Sequence, residues 1–267
     1  MCWSAEADLV AGAGIATVGT ACAARALRAG RSGDLPLAAL PLLLGVHQMI
    51  EAAVWASDGG TGPAVLLWAV VALPLLALWV PVGVLCAAPK DERRDALRRL
   101  MLPLVAGAVT AAVLGRVLTT RPVRAEIRGR TIGYVVDLSY APLLVAGYLV
   151  ATVGSLLLSG DRGLRAPGVL AGAGALVCWT LWRLEFVSTW CAFTAVCSLV
   201  LCRVLAGPVR VGAGVWAAGG VDCPGRVTVP ADTGCDAHHV TSIESGTRTM
   251  SVPSRDARDP DARMRPP

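Results

Sequence analysis

Residues 35–56 read LPLAALPLLLGVHQMIEAAVWA, an almost unbroken apolar run in which only His47 and Glu51 can carry charge. A helix needs about 20 mostly apolar residues to cross a bilayer, so this run predicts a transmembrane helix. Similar runs occur at 8–27, 64–87, 99–119, 139–159, 167–184 and 187–206. The sequence therefore predicts an all-α protein, an integral membrane bundle of about seven transmembrane helices over residues 1–206.

The composition of the chain agrees with a membrane location. Hydrophobic residues make up 55% of the chain and charged residues 16%, with a mean hydropathy of +0.60. Soluble domains are typically about 45–50% apolar and about 25% charged. The net charge of +5 comes from arginines clustered between apolar runs, a pattern that sets membrane topology. We therefore expect the lipid bilayer, and not a nucleic acid, to be the partner.

The short loops predict how the chain is oriented in the cell membrane. Basic residues cluster after the first, third and fifth helices, and basic loops stay in the cytoplasm. They are Arg28, Arg31, Lys90, Arg93, Arg94, Arg98, Arg99, Arg162 and Arg165. A cleaved signal peptide would carry positive charge before its apolar run, but here Glu6 and Asp8 stand there. We expect an uncleaved first helix, an N-terminus outside and a C-terminus in the cytoplasm.

The segment 120–140, TRPVRAEIRGRTIGYVVDLSY, breaks this charge pattern. It falls outside by alternation, yet it holds Arg121, Arg124, Arg128 and Arg130. Either the helix count is wrong by one near the sixth and seventh helices, or the segment is a folded element. VRAEI and TIGYVV are β-prone runs on either side of Arg-Gly-Arg, which favours a small hairpin.

The last segment of the chain, residues 207–267, has a different composition. It is rich in Gly, Pro, Asp, Arg, Ser and Thr, and it lacks clusters of apolar residues. Such a segment buries too little surface to offset the entropy cost of ordering, so we predict a disordered cytoplasmic tail. Its Cys223, Cys235, His238 and His239 match no spacing typical of a zinc site.

The second predicted helix carries the strongest candidates for a functional site. His47 and Glu51 are four residues apart and share a helix face with Trp55, and Gln48 lies beside them. A charged residue at the centre of a membrane helix costs about 2.5–3.5 kcal/mol, so such groups usually face the interior of the bundle. Three alternatives stay open. The His–Glu pair holds helices together, the group handles protons, a metal or a ligand, or Glu51 reaches the membrane interface.

The predicted topology brings further polar groups to the same outer region. Cys2 precedes the first helix, and Ser188, Trp190 and Cys191 open the seventh. Tyr134, Asp137 and Tyr140 belong to the end of the outer loop and the start of the fifth helix. Polar groups that converge from separate segments are typical of a ligand site. The predicted ligand-binding residues are Cys2, His47, Gln48, Glu51, Trp55, Trp190 and Cys191.

The two outer cysteines allow several kinds of chemistry. Cys2 and Cys191 could form a disulfide, because disulfides persist outside the cytoplasm. Alternatively, the thiolate of either cysteine could bind a metal ion such as zinc together with His47 and Glu51, since thiolate, imidazole and carboxylate are all zinc ligands. A Cys–His nucleophile pair is the third alternative.

The same residues lie in motifs that resemble those of a known family. Three segments are similar to an uncharacterised family of bacterial multi-pass membrane proteins: MCWSAEADLVAG at 1–12, LPLAALPLLLGVHQMIEAAVW at 35–55 and VSTWCAFTAVCS at 187–198. Its members open with Met-Cys-Phe/Trp-Ser-Ala. The resemblance implies the same helical architecture over residues 1–206 and marks the candidate site residues. It implies no reaction, because no function is established for that family.

Three functions are compatible with these patterns. The first is a membrane protein that binds or senses a small ligand through the outer polar cluster. The second is a membrane-embedded, hydrolase-like enzyme that depends on a metal or a thiol and uses His47, Glu51 and either Cys2 or Cys191. The third is a purely structural bundle. A transporter is disfavoured because the sequence shows neither an internal repeat nor paired broken helices.

Overall fold

The structure is a computed structural model that describes residues 4–138, 140–181 and 186–206. The predicted tail at 207–267 and Cys2 lie outside the described residues. The described part contains seven apolar helices, as the sequence predicts. They are α1 (Ala5–Arg28), α2 (Ser32–Ala56), α3 (Pro63–Ala87), α4 (Arg93–Thr120), α5 (Ala141–Leu157), α6 (Arg162–Leu181) and α7 (Phe186–Ala206). All but the shorter α5 have the length and hydropathy of a membrane span, which confirms the membrane bundle.

Three of the helices are irregular along their length. Helix α2 begins as a 3₁₀ turn at Ser32–Asp34 and a short helix at Leu35–Ala38, and continues as Leu40–Ala56. A π turn at Val71–Leu75 interrupts α3 between Pro63–Val70 and Leu76–Ala87, and a second at Val150–Gly154 divides α5 between Ala141–Leu149 and Ser155–Leu157. The turn in α3 contains Pro74, whose missing N–H disturbs the helical hydrogen bonds. The Tyr148 hydroxyl donates a 2.6 Å hydrogen bond to the nearby Ala72 carbonyl and so joins α5 to α3.

Apolar side chains cover the outside of the bundle, while several polar side chains lie inside it. Val10, Leu102 and Leu143 are 73%, 66% and 72% exposed. By contrast, His47 and Glu51 are 0% exposed. This distribution is expected when lipid is the solvent, because an ionisable group is less costly inside the bundle than against hydrocarbon.

Helices α1 and α2 pack closely through glycines. Gly12 and Gly45 face each other, and a Cβ atom at either position would lie 2.7 Å from the carbonyl oxygen of the other. A Cβ atom at Gly19 would collide with the backbone of Leu42. Small residues allow this close approach, which is a common way to join helices in membranes. The contact aligns α1 antiparallel to α2 and brings its N-terminal turns to the end of α2 that carries Trp55.

The connections between helices fall into two groups, one at each end of the bundle. At one end, which we name the basic end, lie the α1–α2, α3–α4 and α5–α6 connections and the last turn of α7. There the Arg31 guanidinium donates 2.7 Å hydrogen bonds to the Asp34 carboxylate and to the Leu205 carbonyl. The α2–α3 connection and the segment 121–138 lie together at the other end, where Gly60 and Ala125 exchange backbone hydrogen bonds of 2.8 and 2.9 Å. We name this the hairpin end.

The segment that breaks the charge pattern is a β-hairpin, as its sequence predicts. Strands β1 (Arg124–Arg128) and β2 (Thr131–Val135) are antiparallel, and Gly129 has a φ of +65° in the turn between them. Arg121 forms a 2.6 Å ion pair with Asp137, and Arg128 forms a 2.7 Å ion pair with Glu126. Nearby carboxylates therefore offset part of the positive charge at the hairpin end.

The glycine contact between α1 and α2 predicts a selective loss of stability. Gly45→Ala places a methyl group against the α1 backbone, and overpacking of this kind typically costs about 1–3 kcal/mol. We expect the free energy of unfolding in detergent to fall by that amount. Gly14→Ala is the control, because its Cβ atom would meet nothing within 4 Å. Equal stability of the two variants would contradict the packing described.

The orientation expected from the basic loops predicts the result of a reporter-fusion experiment. Alkaline phosphatase is active only outside the cytoplasm. Fusion after Gly60, at the hairpin end, should give activity, and fusion after Asp91, at the basic end, should give none. The reverse pattern would show that the charge rule fails for this chain.

Candidate functional site

Five buried polar side chains form a group near the hairpin end, which we name the polar cluster. Helix α1 supplies one, α2 supplies three and α7 supplies one. They are Asp8, His47, Gln48, Glu51 and Ser188, each no more than 1% exposed. The three residues from α2 face the interior of the bundle, as expected for polar groups within an apolar helix.

The Glu51 carboxyl group joins two helices. One of its oxygens, Oε1, accepts a short hydrogen bond from the Ser188 hydroxyl, which links α2 to the first turn of α7. The Asp8 carboxyl group and the Trp68 indole also lie near this carboxyl group, although Trp68 Nε1 forms no well-aligned hydrogen bond with it. Helices α1, α2, α3 and α7 thus meet around Glu51.

Asp8 belongs to the cluster, although it is not among the site residues predicted from the sequence. Its carboxylate accepts a 3.0 Å hydrogen bond from Trp55 Nε1. The signal that reveals Asp8 is its spacing, because it continues the buried stripe of α1 by one further turn. That stripe consists of Asp8, Gly12, Ile15, Gly19, Cys22 and Ala26. Residues three and four apart share one helix face, so Asp8 faces α2 together with the glycines.

Several polar atoms of the cluster lack a hydrogen-bond partner among the described residues. These atoms are both ring nitrogens of His47, both amide atoms of Gln48, Oε2 of Glu51 and Nε1 of Trp68. Each buried polar atom left without a partner costs about 1–3 kcal/mol, so native proteins nearly always satisfy such atoms. Four neighbouring side chains share this property, so polar atoms without a partner are concentrated in this part of the bundle.

Aromatic rings and the hairpin cover the cluster. The Trp68 ring lies 5.2 Å from the His47 ring, and Tyr134 of β2 stacks on Trp68 with ring centroids 3.4 Å apart. Ile132 and Ala125, on the same face of the hairpin, are 0% and 4% exposed and belong to the same apolar cluster as Trp68. The hairpin therefore closes this end of the bundle over α3 and the start of α7.

The structure brings together some predicted site residues and separates others. Cys191 is buried in the same apolar cluster as Trp68, and Trp55 reaches the polar cluster through Asp8. Trp190 belongs to a second aromatic group, where its Nε1 donates a 3.0 Å hydrogen bond to the Ala171 carbonyl of α6. It also stacks with Phe186 there. Cys2 lies outside the described residues.

One contact considered from the sequence is not present. His47 has no hydrogen-bond partner among the described residues, so it bonds neither Glu51 nor the Cys191 thiol, and Ser188 is the partner of Glu51 instead. Cys191 is a buried free thiol among the described residues. Its predicted disulfide partner, Cys2, lies outside those residues, so the disulfide stays a prediction. Within residues 4–138, 140–181 and 186–206, no three His, Cys, Asp or Glu side chains are placed to hold a metal ion. The full metal set predicted from the sequence includes Cys2 and stays a prediction.

Comparison with known proteins identifies one family. A family model described as "Family of unknown function (DUF6629)" matches residues 1–214, which include all seven helices and the hairpin. The search of curated proteins finds no match, and neither does the search of solved structures. The region matched ends shortly after α7, so most of the predicted tail lies beyond it.

The hydrogen bond between Ser188 and Glu51 predicts different effects for two serines of α7. Ser188→Ala removes the hydrogen bond that the Ser188 hydroxyl donates to a buried carboxyl group, which should lower the free energy of unfolding by about 1–3 kcal/mol. Ser198→Ala is the matched control, because Ser198 is also buried but donates only to the Ala195 carbonyl of its own helix. Chemical unfolding in detergent measures both. If the two variants lose the same stability, Ser188 has no special role.

Proposed function

We propose that this chain, which belongs to that family of unknown function, is a membrane protein that binds a small polar ligand in the polar cluster. The observation that carries the proposal is the group of unpartnered polar atoms on His47, Gln48, Glu51 and Trp68. These residues are all 0% exposed, so bulk water does not satisfy their atoms. A ligand with both donors and acceptors would remove the cost of burying them.

The chemistry of the cluster indicates what each residue contributes. Oε2 of Glu51 and Oε1 of Gln48 accept hydrogen bonds, whereas Nε2 of Gln48 and Nε1 of Trp68 donate them. His47 offers one donor and one acceptor when neutral. The ligand is therefore a compact molecule with several hydrogen-bonding groups, and the stacked rings of Trp68 and Tyr134 form an apolar wall beside it.

The remaining residues of the site hold these groups in place. Ser188 fixes the Glu51 carboxyl group from α7, and Trp55 connects α2 to Asp8 of α1. Because the residues of the site come from several helices, a ligand that changes the distance between these helices also changes how they pack. We therefore include sensing in the proposal, because occupancy of the cluster is linked directly to the packing of α1, α2 and α7.

Ligand entry requires part of the hairpin end to open, because every residue of the cluster is buried. The α2–α3 connection contains Asp58, Gly59 and Gly60, all with positive φ, and it is attached to the hairpin through the backbone bonds of Gly60. This connection and the hairpin therefore move together when the site opens. Elements that cover a ligand site commonly move in this way.

A membrane-embedded enzyme, hydrolase-like and dependent on a metal or a thiol, is the second candidate. Cys191 lies close enough to Glu51 for the two to interact, which is the observation in its favour. The arrangement of His47 gives it less support, since neither ring nitrogen bonds Glu51 or Cys191. Ligand binding accounts for the unpartnered polar atoms of all four residues, whereas the enzyme alternative does not use Gln48 or Trp68.

Gln48→Leu tests whether the cluster holds a ligand. If a ligand satisfies the Gln48 amide, an apolar side chain of similar volume should weaken ligand binding and lower the melting temperature. If nothing satisfies the amide, the same change removes two unpartnered atoms and should raise the melting temperature, because each costs about 1–3 kcal/mol. Thermal unfolding in mild detergent measures the sign of the effect.

Native mass spectrometry of the same samples identifies the bound molecule. Wild type and the Ser198→Ala control should carry a small-molecule adduct that Gln48→Leu and Glu51→Gln lack. A stabilised Gln48→Leu variant together with wild type free of any adduct would contradict ligand binding and favour a structural bundle. Stoichiometric metal in the wild type, lost in His47→Ala, would favour the enzyme instead.

A further inference from the structure

A second candidate site lies at the basic end, on the opposite side of the bundle from the polar cluster. A cavity of about 590 Å³ opens there between the end of α3, the start of α4 and the α5–α6 connection. Its volume is in the range of ligand pockets, about 300–1,000 Å³. Neither the family match nor the proposed function assigns it a role.

Three arginines line this cavity. Arg99 comes from α4, and Arg162 and Arg165 come from the first turn of α6. Unlike Arg31 and Arg121, which form ion pairs, these three form none with the residues that the structure describes. Guanidinium groups hold oxyanions through pairs of parallel hydrogen bonds, and phosphate geometry suits them well.

The backbone of the α5–α6 connection positions one of these arginines. The Arg99 guanidinium lies against Gly160, where a Cβ atom would come within 2.8 Å of its Nη2 atom. Ser159 holds this connection in place, because its hydroxyl donates 2.7 and 3.1 Å hydrogen bonds to the Leu156 and Asp161 carbonyls. The absence of a side chain at Gly160 therefore allows Arg99 to lie across the connection towards α6.

The net charge of the cavity lining indicates the charge of the anion that it suits. Two carboxylates, Glu92 and Asp161, line it together with the three arginines, so the lining carries a net charge of +1. Asp161 uses its Oδ1 atom to accept a 2.7 Å hydrogen bond from the Gly163 N–H at the start of α6. A net charge of +1 matches a phosphodiester, which carries one negative charge, better than a phosphate monoester, which carries nearly two.

The walls of the cavity suit an amphiphilic ligand. Val84, Leu100 and Leu164 form an apolar floor and are each no more than 3% exposed. Leu158 lies at the edge, and with Leu157 it presents apolar surface to the outside of the bundle, 45% and 40% exposed. The cavity therefore lies at the boundary between the helix ends and the lipid-facing surface.

We propose that this cavity binds the phosphodiester headgroup of an anionic phospholipid, with Arg99 and Arg165 as the principal anion ligands. Arg162 adds positive charge, and the edge at Leu157 and Leu158 contacts the start of the acyl chains. The bound lipid joins α3, α4 and α6 at the basic end. This inference is independent of the ligand proposed for the polar cluster.

The test titrates purified protein in mild detergent with short-chain phosphatidylglycerol and follows the melting temperature. A ligand that binds only the folded state raises the melting temperature as it saturates its site. We expect saturable stabilisation by phosphatidylglycerol, and little from phosphatidylcholine or inorganic phosphate at the same concentrations. Stabilisation by inorganic phosphate alone would assign the cavity to a free anion and overturn the lipid proposal.

Matched variants show whether the effect belongs to the cavity. Arg99→Gln/Arg165→Gln should raise the half-saturating lipid concentration about tenfold or more, because charge-assisted hydrogen bonds are lost. Arg93→Gln/Arg94→Gln removes the same charge nearby from residues that do not line the cavity, and should leave that concentration nearly unchanged. An equal rise of the half-saturating concentration in the two double variants would show that the lipid is attracted only by nonspecific electrostatics, and would overturn the proposal.

Glu92→Gln keeps the test decisive if the arginine variant does not fold. The change removes a negative charge from the cavity and leaves all three arginines, so the half-saturating concentration should fall several-fold. An unchanged or higher value would contradict an anion site in this cavity.

Discussion

The hydrogen bond between Ser188 and Glu51 is the contact on which the hairpin end of the bundle depends. A carboxyl group within an apolar span must avoid lipid, and it needs a partner wherever it is placed. Glu51 meets both requirements only when α2 lies inside the bundle and α7 brings Ser188 to the same depth. The pairing therefore determines how α2 is rotated and which turn of α7 contacts it.

The other contacts at this end follow from that placement. Once Glu51 faces the interior, His47 and Gln48 lie one turn away and are also buried. The glycine contact between Gly12 and Gly45 allows α1 to approach closely enough for Asp8 to reach Trp55. The hairpin then covers the remaining side through the Trp68–Tyr134 stack. These contacts enclose the polar side chains of the cluster beside the apolar residues around Trp68.

The two ends of the bundle differ in their chemistry. The hairpin end combines buried carboxyl, imidazole and amide groups with aromatic cover, while the basic end has arginines around an open cavity. Charge in a short connection remains in water or at the headgroups, whereas charge within a span must be enclosed. The same physical rule thus places arginines at the surface of both ends and encloses the carboxyl groups of Asp8 and Glu51 inside the hairpin end.

The sequence by itself determined the number of helices, the membrane location, the hairpin and the inward orientation of His47 and Glu51. These features depend on local composition and on the cost of polar groups in lipid, both of which can be read along the chain. Only the tertiary structure decided that Ser188 and not His47 bonds Glu51, that Asp8 joins the cluster, and that Trp190 faces α6. Successive residues of a helix differ in direction by about 100°, so the neighbour that each one meets depends on how the helices rotate and pack. That rotation results from contacts between distant segments, such as Gly12 with Gly45, which no single span contains.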